Sequence, residues 1–399
     1  MTSVRQTSAH QDRANPDAEF TVPELPVATD RYGAWSRVRA RGAVYEMGGH
    51  WFVTSSAACR HVTRTPEVFS SAMHGDTLNA PTPYIPGGID PPEHLAYRQV
   101  IDKRFAPKVL LALEEPLRVR FNGLVDRFID SGRCDVVPAI AEIFPAEIFM
   151  QLFGLPLSDR ERLAGWVHTT LVGAYEGSPE SAREAKEHLT EYLTDLFAAR
   201  RARPTGDFIS YILDQGWSDA EVMGTAFNVV QGGLDTMTGA LGLIFNHLAT
   251  HPDLRRQVVA DPDLLDVAIE EILRLETVVP ITNRHTVAES EVEGVTIPDK
   301  AHVYVCYAAA NIDPEAFEVP DRVDLRRHRR RDVFIFGGGT HRCLGSHLAR
   351  KELRMVFEEF HRRIPDYQLA PGANPTARWP AVIVSLDTVP LEFPAGGAA

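Results

Sequence analysis

One cysteine constrains this chain more than any other residue. It stands in Phe336-Gly337-Gly338-Gly339-Thr340-His341-Arg342-Cys343-Leu344-Gly345, behind a glycine cluster and at the start of an apolar-periodic stretch. The first N–H groups of a helix lack intrahelical acceptors and carry partial positive charge, so a thiol there, flanked by Arg342, is expected to be pulled toward thiolate. Cys343 is therefore read as a ligand or a nucleophile. Glycines on the approach would let the backbone come close to something large and flat. A phosphate-binding loop is the rival use of such glycines, but no Lys-Ser/Thr follows them and no strand-then-acid pattern lies downstream.

The remainder reads as a mainly helical chain with a minor sheet. Apolar residues recur every three or four positions over stretches that include Val137 to Phe153, Asp219 to Thr250, Asp261 to Leu275 and Gly345 to Ile364. Alternating runs predict strands at Ala43 to Glu46 and His50 to Val53, joined by Met47-Gly48-Gly49 as a hairpin. Further strands are expected at Ile281 to Val287, Val292 to Ile297, His302 to Tyr307, Val382 to Leu386 and Leu391 to Phe393. Strands do not alternate with helices as a dinucleotide-binding fold requires. No linker divides the chain, so residues 20–399 are expected to form one domain behind a frayed polar tail, residues 1–19. The net charge of −13 argues against a nucleic-acid partner. The longest uncharged stretch, Thr236 to Pro252, contains Asn246, His247 and His251 and falls short of a membrane span. Cys59, Cys134, Cys306 and Cys343 form no CxxC pair, which fits a reducing cytoplasm.

The loop around Cys343 resembles the Phe-Gly-x-Gly-x-His/Arg-x-Cys-x-Gly signature of the cytochrome P-450 family, without departure. That resemblance implies a helical prism around haem b, with Cys343 as the axial thiolate ligand of the iron and Phe336, Gly337, His341 and Gly345 beside it. Glu271-Ile272-Leu273-Arg274 is similar to the family's ExxR pair, implying a structural role with a third arginine from Asp321 to His328, for which Arg322 is favoured. Inside the long helical stretch, Gly232-Gly233-Leu234-Asp235-Thr236 spends about 1 kcal/mol per interior glycine, so either a kink or a groove is expected. It resembles the family's oxygen-binding groove, which implies Gly233 at the haem, Thr236 as the hydroxyl facing dioxygen and Asp235 as the proton-relaying acid. His94, Arg98, Arg284 and His341 match positions that hold haem propionates, since buried carboxylates need such partners.

The resemblance is nearest the bacterial, camphor-hydroxylase-like class, on Gly232 to Thr236 and on Gly48 to Trp51. That class's substrate-binding tyrosine falls at Thr82, with Tyr84 two residues on. Ile312 stands where many bacterial members carry Arg, with only local packing expected to change. The implied activity is that of a monooxygenase acting with dioxygen on a small, mainly hydrophobic organic molecule. Its pocket would include Thr82, Tyr84, Val229, Gly232, Val279, Ile281 and Ile383. Electrons would come from an external ferredoxin and ferredoxin reductase, docking near Arg98, Arg342 and Leu344. A haem-thiolate sensor or ligand-binding protein stays open, as do epoxidation, coupling and nitration.

Overall fold

The computed structural model describes residues 20–72, 80–81, 83–106, 114–172, 179–327 and 333–396. Helices dominate it. The largest sheet has five strands in the order β1 (Val44–Met47), β2 (His50–Val53), β8 (His302–Val305), β5 (Thr282–Thr286), β3 (Phe69–Ser70), with only the β2–β8 pair parallel. The expected hairpin forms, and Gly48 and Gly49 both take positive φ (62° and 81°), the geometry of a two-residue turn matching strand twist. A second sheet pairs β4 (Arg133–Asp135), β10 (Pro390–Glu392) and β9 (Gln368–Leu369).

The core is organised by the helix Thr236–Thr250, whose Leu241, Leu243, Ile244 and Phe245 are fully enclosed. A helix apolar on every side either spans a bilayer or runs through a protein interior. This one is packed by the Leu265–Leu275 and Pro252–Ala260 helices and the turn at Val137–Ala141. Among the described residues no helix is long and apolar enough to cross a membrane.

The structure departs from the sequence reading in several places, among them the unread strands β3, β4 and β9 and the interruption of Val137 to Phe153 between Val137–Ala141 and Phe144–Phe153. The stretch Asp219 to Thr250 is two helices, Asp219–Leu234 and Thr236–Thr250, broken at Asp235. Val292 to Ile297 is the turn and second arm of a hairpin, β6 (Ser290–Val292) with β7 (Val295–Ile297), because Glu293 and Gly294 reverse the chain at φ 51° and 76°. Val382 to Leu386 keeps only one bridge, between Ala377 and Leu386, and otherwise walls a cavity. Three helices go unread, Ser56–Arg64, Pro252–Ala260 and the single turn Tyr307–Ala310. The first is announced only by Ser55, whose side chain accepts from Ala58 N; the second starts on Pro at its first position; the third spans four residues and has no side-chain cap.

Candidate active site

A cavity of about 360 Å³ lies between the broken helix and the Cys343 loop. His94, Arg98, Val229, Gly232, Gly233, Thr236, Val279, Arg284, Phe336, Gly337, His341, Cys343 and Gly345 all line it. A second cavity of about 220 Å³ shares Gly232, Thr236 and Val279 with it and adds Tyr84, Ile281 and Ile383. Thr82 lies outside the described residues. Asp235 lines neither cavity.

The Cys343 loop is tied back on itself by Cys343 N donating to Phe336 O at 2.9 Å, and the helix Ser346–Arg363 begins directly after Gly345. Two of the loop's glycines answer to the protein rather than to a bound group. A Cβ on Gly339 would sit 1.7 Å from the Thr63 carbonyl, and one on Gly338 3.0 Å from Thr63 Oγ1, so the glycines let the loop lie against the Ser56–Arg64 helix. The thiol also departs from expectation. Burial pushes its pKa up, and the Gly345 N–H with the Arg98, Arg342 and Arg350 guanidiniums opposes this only in part. These charges alone do not offset it; a bound metal cation is what deprotonates such a thiol outright.

His94, Arg98, Arg284 and His341 border the same cavity as the thiol, with Arg98 also paired to Asp102 at 2.8 Å. Both ring nitrogens of His94 and Nε2 of His341 are buried without a hydrogen-bond partner, and the two rings lie 4.4 Å apart. Arg284 is 6% exposed and uses one nitrogen on the Asn283 carbonyl. Arg98 reaches the Arg342 carbonyl at 2.9 Å. Unpartnered buried donors are rare because each forfeits its hydration. A flat macrocycle with two carboxylates and a thiolate-seeking iron meets all these demands, so the residues present fit haem. His341 is steadied by Asp90, 3.8 Å away. Burial would raise the Asp90 pKa, but the nearby His341 ring and hydrogen bonds from the Ser70 hydroxyl and the Ser71 N–H hold it at about 2.

At the helix break, Thr236 Oγ1 donates to the Gly232 carbonyl at 2.9 Å. The two glycines serve different ends. A Cβ on Gly233 would land 2.4 Å from the Phe149 ring, whereas one on Gly232 would meet nothing within 4 Å, being open to the cavities. Gly233 therefore answers to Phe149 packing. Asp235 turns its carboxylate away, with Oδ2 3.4 Å from His168 Nδ1. The Tyr84 hydroxyl donates to Gln231 Oε1 at 2.8 Å, and Gln231 Nε2 donates to Thr170 at 3.2 Å. That chain holds the segment around Tyr84 to the Asp219–Leu234 helix.

Behind the loop, Arg274 is completely buried and Glu271 nearly so. The guanidinium donates to both Glu271 oxygens, at 2.9 and 3.1 Å, and to the carbonyls of Asn311, Pro320 and Arg322. The third arginine is Arg327, whose Nε lies 3.0 Å from Glu271 Oε1, and not Arg322, which contributes only its backbone. Sequence reasoning missed Asn311. Its carbonyl receives Arg274, its Oδ1 accepts Phe334 N at 2.7 Å, and its Nδ2 donates to Thr277, so one buried residue joins the pair to the segment entering the Cys343 loop. An asparagine inside the apolar run Tyr307 to Ile312 was the only available signal.

A family model described as Cytochrome P450 matches residues 166–363. The probable cytochrome P450 127A1 of Sinorhizobium fredii is 31% identical over 335 residues, covering 82% of this chain and 80% of that one. The steroid C26-monooxygenase of Mycolicibacterium smegmatis is 30% identical over 371 residues, 90% of this chain and 92% of that one. Among solved structures, a mutant of P450 EryK in complex with erythromycin B superposes with a TM-score of 0.85 at 29% identity, covering 93% of this chain and 98% of that one.

Proposed function

This chain belongs to the cytochrome P450 family, whose members bind haem b through a cysteine thiolate and whose named relatives include monooxygenases, and from that premise we propose that it oxygenates a small, neutral, mainly apolar organic molecule. The observation that carries this reading is Cys343, facing a cavity whose far wall is the helix break at Thr236 and whose rim holds the unpartnered His94 and His341.

Bound there, haem supplies the reductive activation of dioxygen, one atom entering the substrate and the other leaving as water. Cys343 would hold the iron, and Arg98, Arg284, His94 and His341 the propionates. With haem bound, the Thr236 hydroxyl would exchange its bond to the Gly232 carbonyl for one into the cavity, and Asp235, protonated from solvent, would hand on the proton. A general acid must come within hydrogen-bond reach, so the Asp235 carboxylate has to leave its outward position in each cycle. Val229, Val279, Ile281 and Ile383 supply an apolar wall, and none of the side chains lining the smaller cavity is charged, which favours a neutral substrate. Electrons arrive from a separate ferredoxin and its reductase on the face carrying Arg98, Arg342 and Leu344, where the cations suit an acidic carrier.

The test is reconstitution with a ferredoxin, its reductase and NADPH under isotopically labelled dioxygen, on compounds chosen by their perturbation of the Soret band. Incorporation of one labelled atom per product is expected. Tight substrate binding with no incorporation would favour the ligand-binding or sensor reading instead.

A further inference from the structure

The larger cavity holds Cys343 and the smaller does not, yet the two share Asn228, Gly232, Thr236, Val279 and Thr282 in their walls. A molecule lying along both therefore has one end near the thiol and the other among residues that line the smaller cavity alone. Resting on the functional reading above, we propose that the substrate carries an uncharged, hydrogen-bond-accepting oxygen at that far end, and that the indole N–H of Trp379 is the specificity-determining donor that holds it.

Val22, Leu171, Ile281, Val382 and Ile383 make the far end apolar, and none of its lining side chains is charged. Its polar side chains are nearly all committed. Tyr84 donates to Gln231, Gln231 to Thr170 and Thr236 to the Gly232 carbonyl. Asn228 Oδ1 accepts the Gly87 N–H at 3.3 Å, and Asn283 Oδ1 lies 3.1 Å from His302 Nε2. Two buried atoms in this wall have no hydrogen-bond partner among the described residues, Thr282 Oγ1 and Trp379 Nε1. Thr282 also lines the larger cavity, with Arg284 and Tyr307, and its hydroxyl can turn to either space. Trp379 lines the smaller cavity only.

An indole N–H is a donor and nothing else, and its direction is fixed by the ring. Burying it unpaired forfeits its bond to water, a loss that an acceptor in the cavity recovers. The backbone around it is held in place. Ala377 N donates to Ala28 O at 2.9 Å, Arg378 N to Ser385 O at 2.8 Å and Val384 N to Val278 O at 2.8 Å, so the turn carrying Trp379 is pinned at both ends. Trp35 packs edge-to-face with it, the ring centroids 5.8 Å apart. An N–H over a ring face is a weak bond beside one to a carbonyl, so Trp35 leaves the donor open to a better partner. The carbonyl of a ketone, ester or lactone, or an ether, offers the oxygen without charge. A carboxylate would enter a wall with no cation to pair it, and an ammonium would set a donor against a donor. An anchored far end also fixes which carbons lie in the larger cavity, so oxidation falls on the end opposite the oxygen.

The test pairs elongated ketones with their deoxo counterparts, beginning with 4-cyclohexylcyclohexanone and bicyclohexyl, titrated into holoprotein and followed by the Soret shift. Trp379→Phe is expected to weaken binding of the ketone about tenfold and to leave that of the hydrocarbon within about twofold. Trp35→Phe, which disturbs packing on the same ring, is expected to leave both nearly unchanged. Equal weakening of ketone and hydrocarbon in Trp379→Phe, or a ketone that it binds as well as the wild type does, overturns the proposal. The donor is also read directly, in indole-labelled holoprotein in its diamagnetic ferrous carbon monoxide form. The N–H resonance missing from Trp379→Phe is expected to move downfield on adding the ketone and to stay in place with the hydrocarbon. A resonance shifted upfield by the Trp35 ring and indifferent to the ketone overturns the proposal. Neither reading needs turnover, so absence of labelled-oxygen incorporation by the wild type counts against the functional reading, and the titrations and the indole shift then still decide the role of Trp379.

Discussion

At the scale of single residues, like side chains close in sequence do unlike work. Arg322 and Arg327 both fall in the stretch expected to complete the buried ion pair, yet only the Arg327 side chain reaches Glu271. Removing one partner of a buried pair strands a charge, so Glu271→Ala is expected to cost about 3–5 kcal/mol, and Arg322→Ala to stay within about 0.5 kcal/mol because its carbonyl survives. Denaturant midpoints of the three variants, with Arg327→Ala between the others, check the ranking. Gly232 and Gly233 separate in the same way. Gly233→Ala forces a methyl group onto Phe149 and is expected to lose about 1–3 kcal/mol, whereas Gly232→Ala should fold normally and narrow the substrate space, read as altered ligand-induced Soret shifts. Sequence could not rank either pair, since a spacing motif records which residue types are present and leaves out which way the backbone turns them.

At the scale of elements, what was legible followed periodicity and turn chemistry. The Gly48-Gly49 hairpin and the helix after Gly345 stand as read, because each is fixed by contacts within a few residues. The break at Asp235 was legible only as an excess of glycine, since its shape depends on Thr236 bonding the Gly232 carbonyl and on His168 reaching from another helix. Long-range anchors of that sort leave almost no local trace. Glu276 is another: it joins His247, at the end of the Thr236–Thr250 helix, to Arg31 on the helix Arg31–Ala40. Burial would raise its pKa, but hydrogen bonds and charge from His247 and Arg31 hold it at about 2. A carboxylate depressed in the fold stabilises it fully above the unfolded value, near 4.5, and loses that contribution as pH falls toward 2. Glu276→Gln should therefore be less stable than the wild type at neutral pH, with the gap closing through that window in pH-dependent thermal melts.

At the scale of the whole molecule, a helical frame holds a cavity whose opposing walls differ in chemistry: a thiol among arginines on one, a broken helix with a hydroxyl on the other. The thiol and the buried ring nitrogens of His94, which have no hydrogen-bond partner, border the same cavity, and a metal-centred, doubly carboxylated macrocycle would satisfy both. Most of this frame was legible because Cys343 and its flanking glycines are contiguous in the chain. The placement of Asp235 was not, because it is decided by residues more than sixty positions away. The most direct measurement is the carbon monoxide difference spectrum of the dithionite-reduced protein, wild type beside Cys343→Ala and Cys306→Ala. The red-shifted Soret band of thiolate-ligated haem is expected in the wild type and in Cys306→Ala and is expected to be absent from Cys343→Ala. Its persistence in Cys343→Ala, or failure of the wild type to take up haem, would contradict the assignment of Cys343 as the ligand.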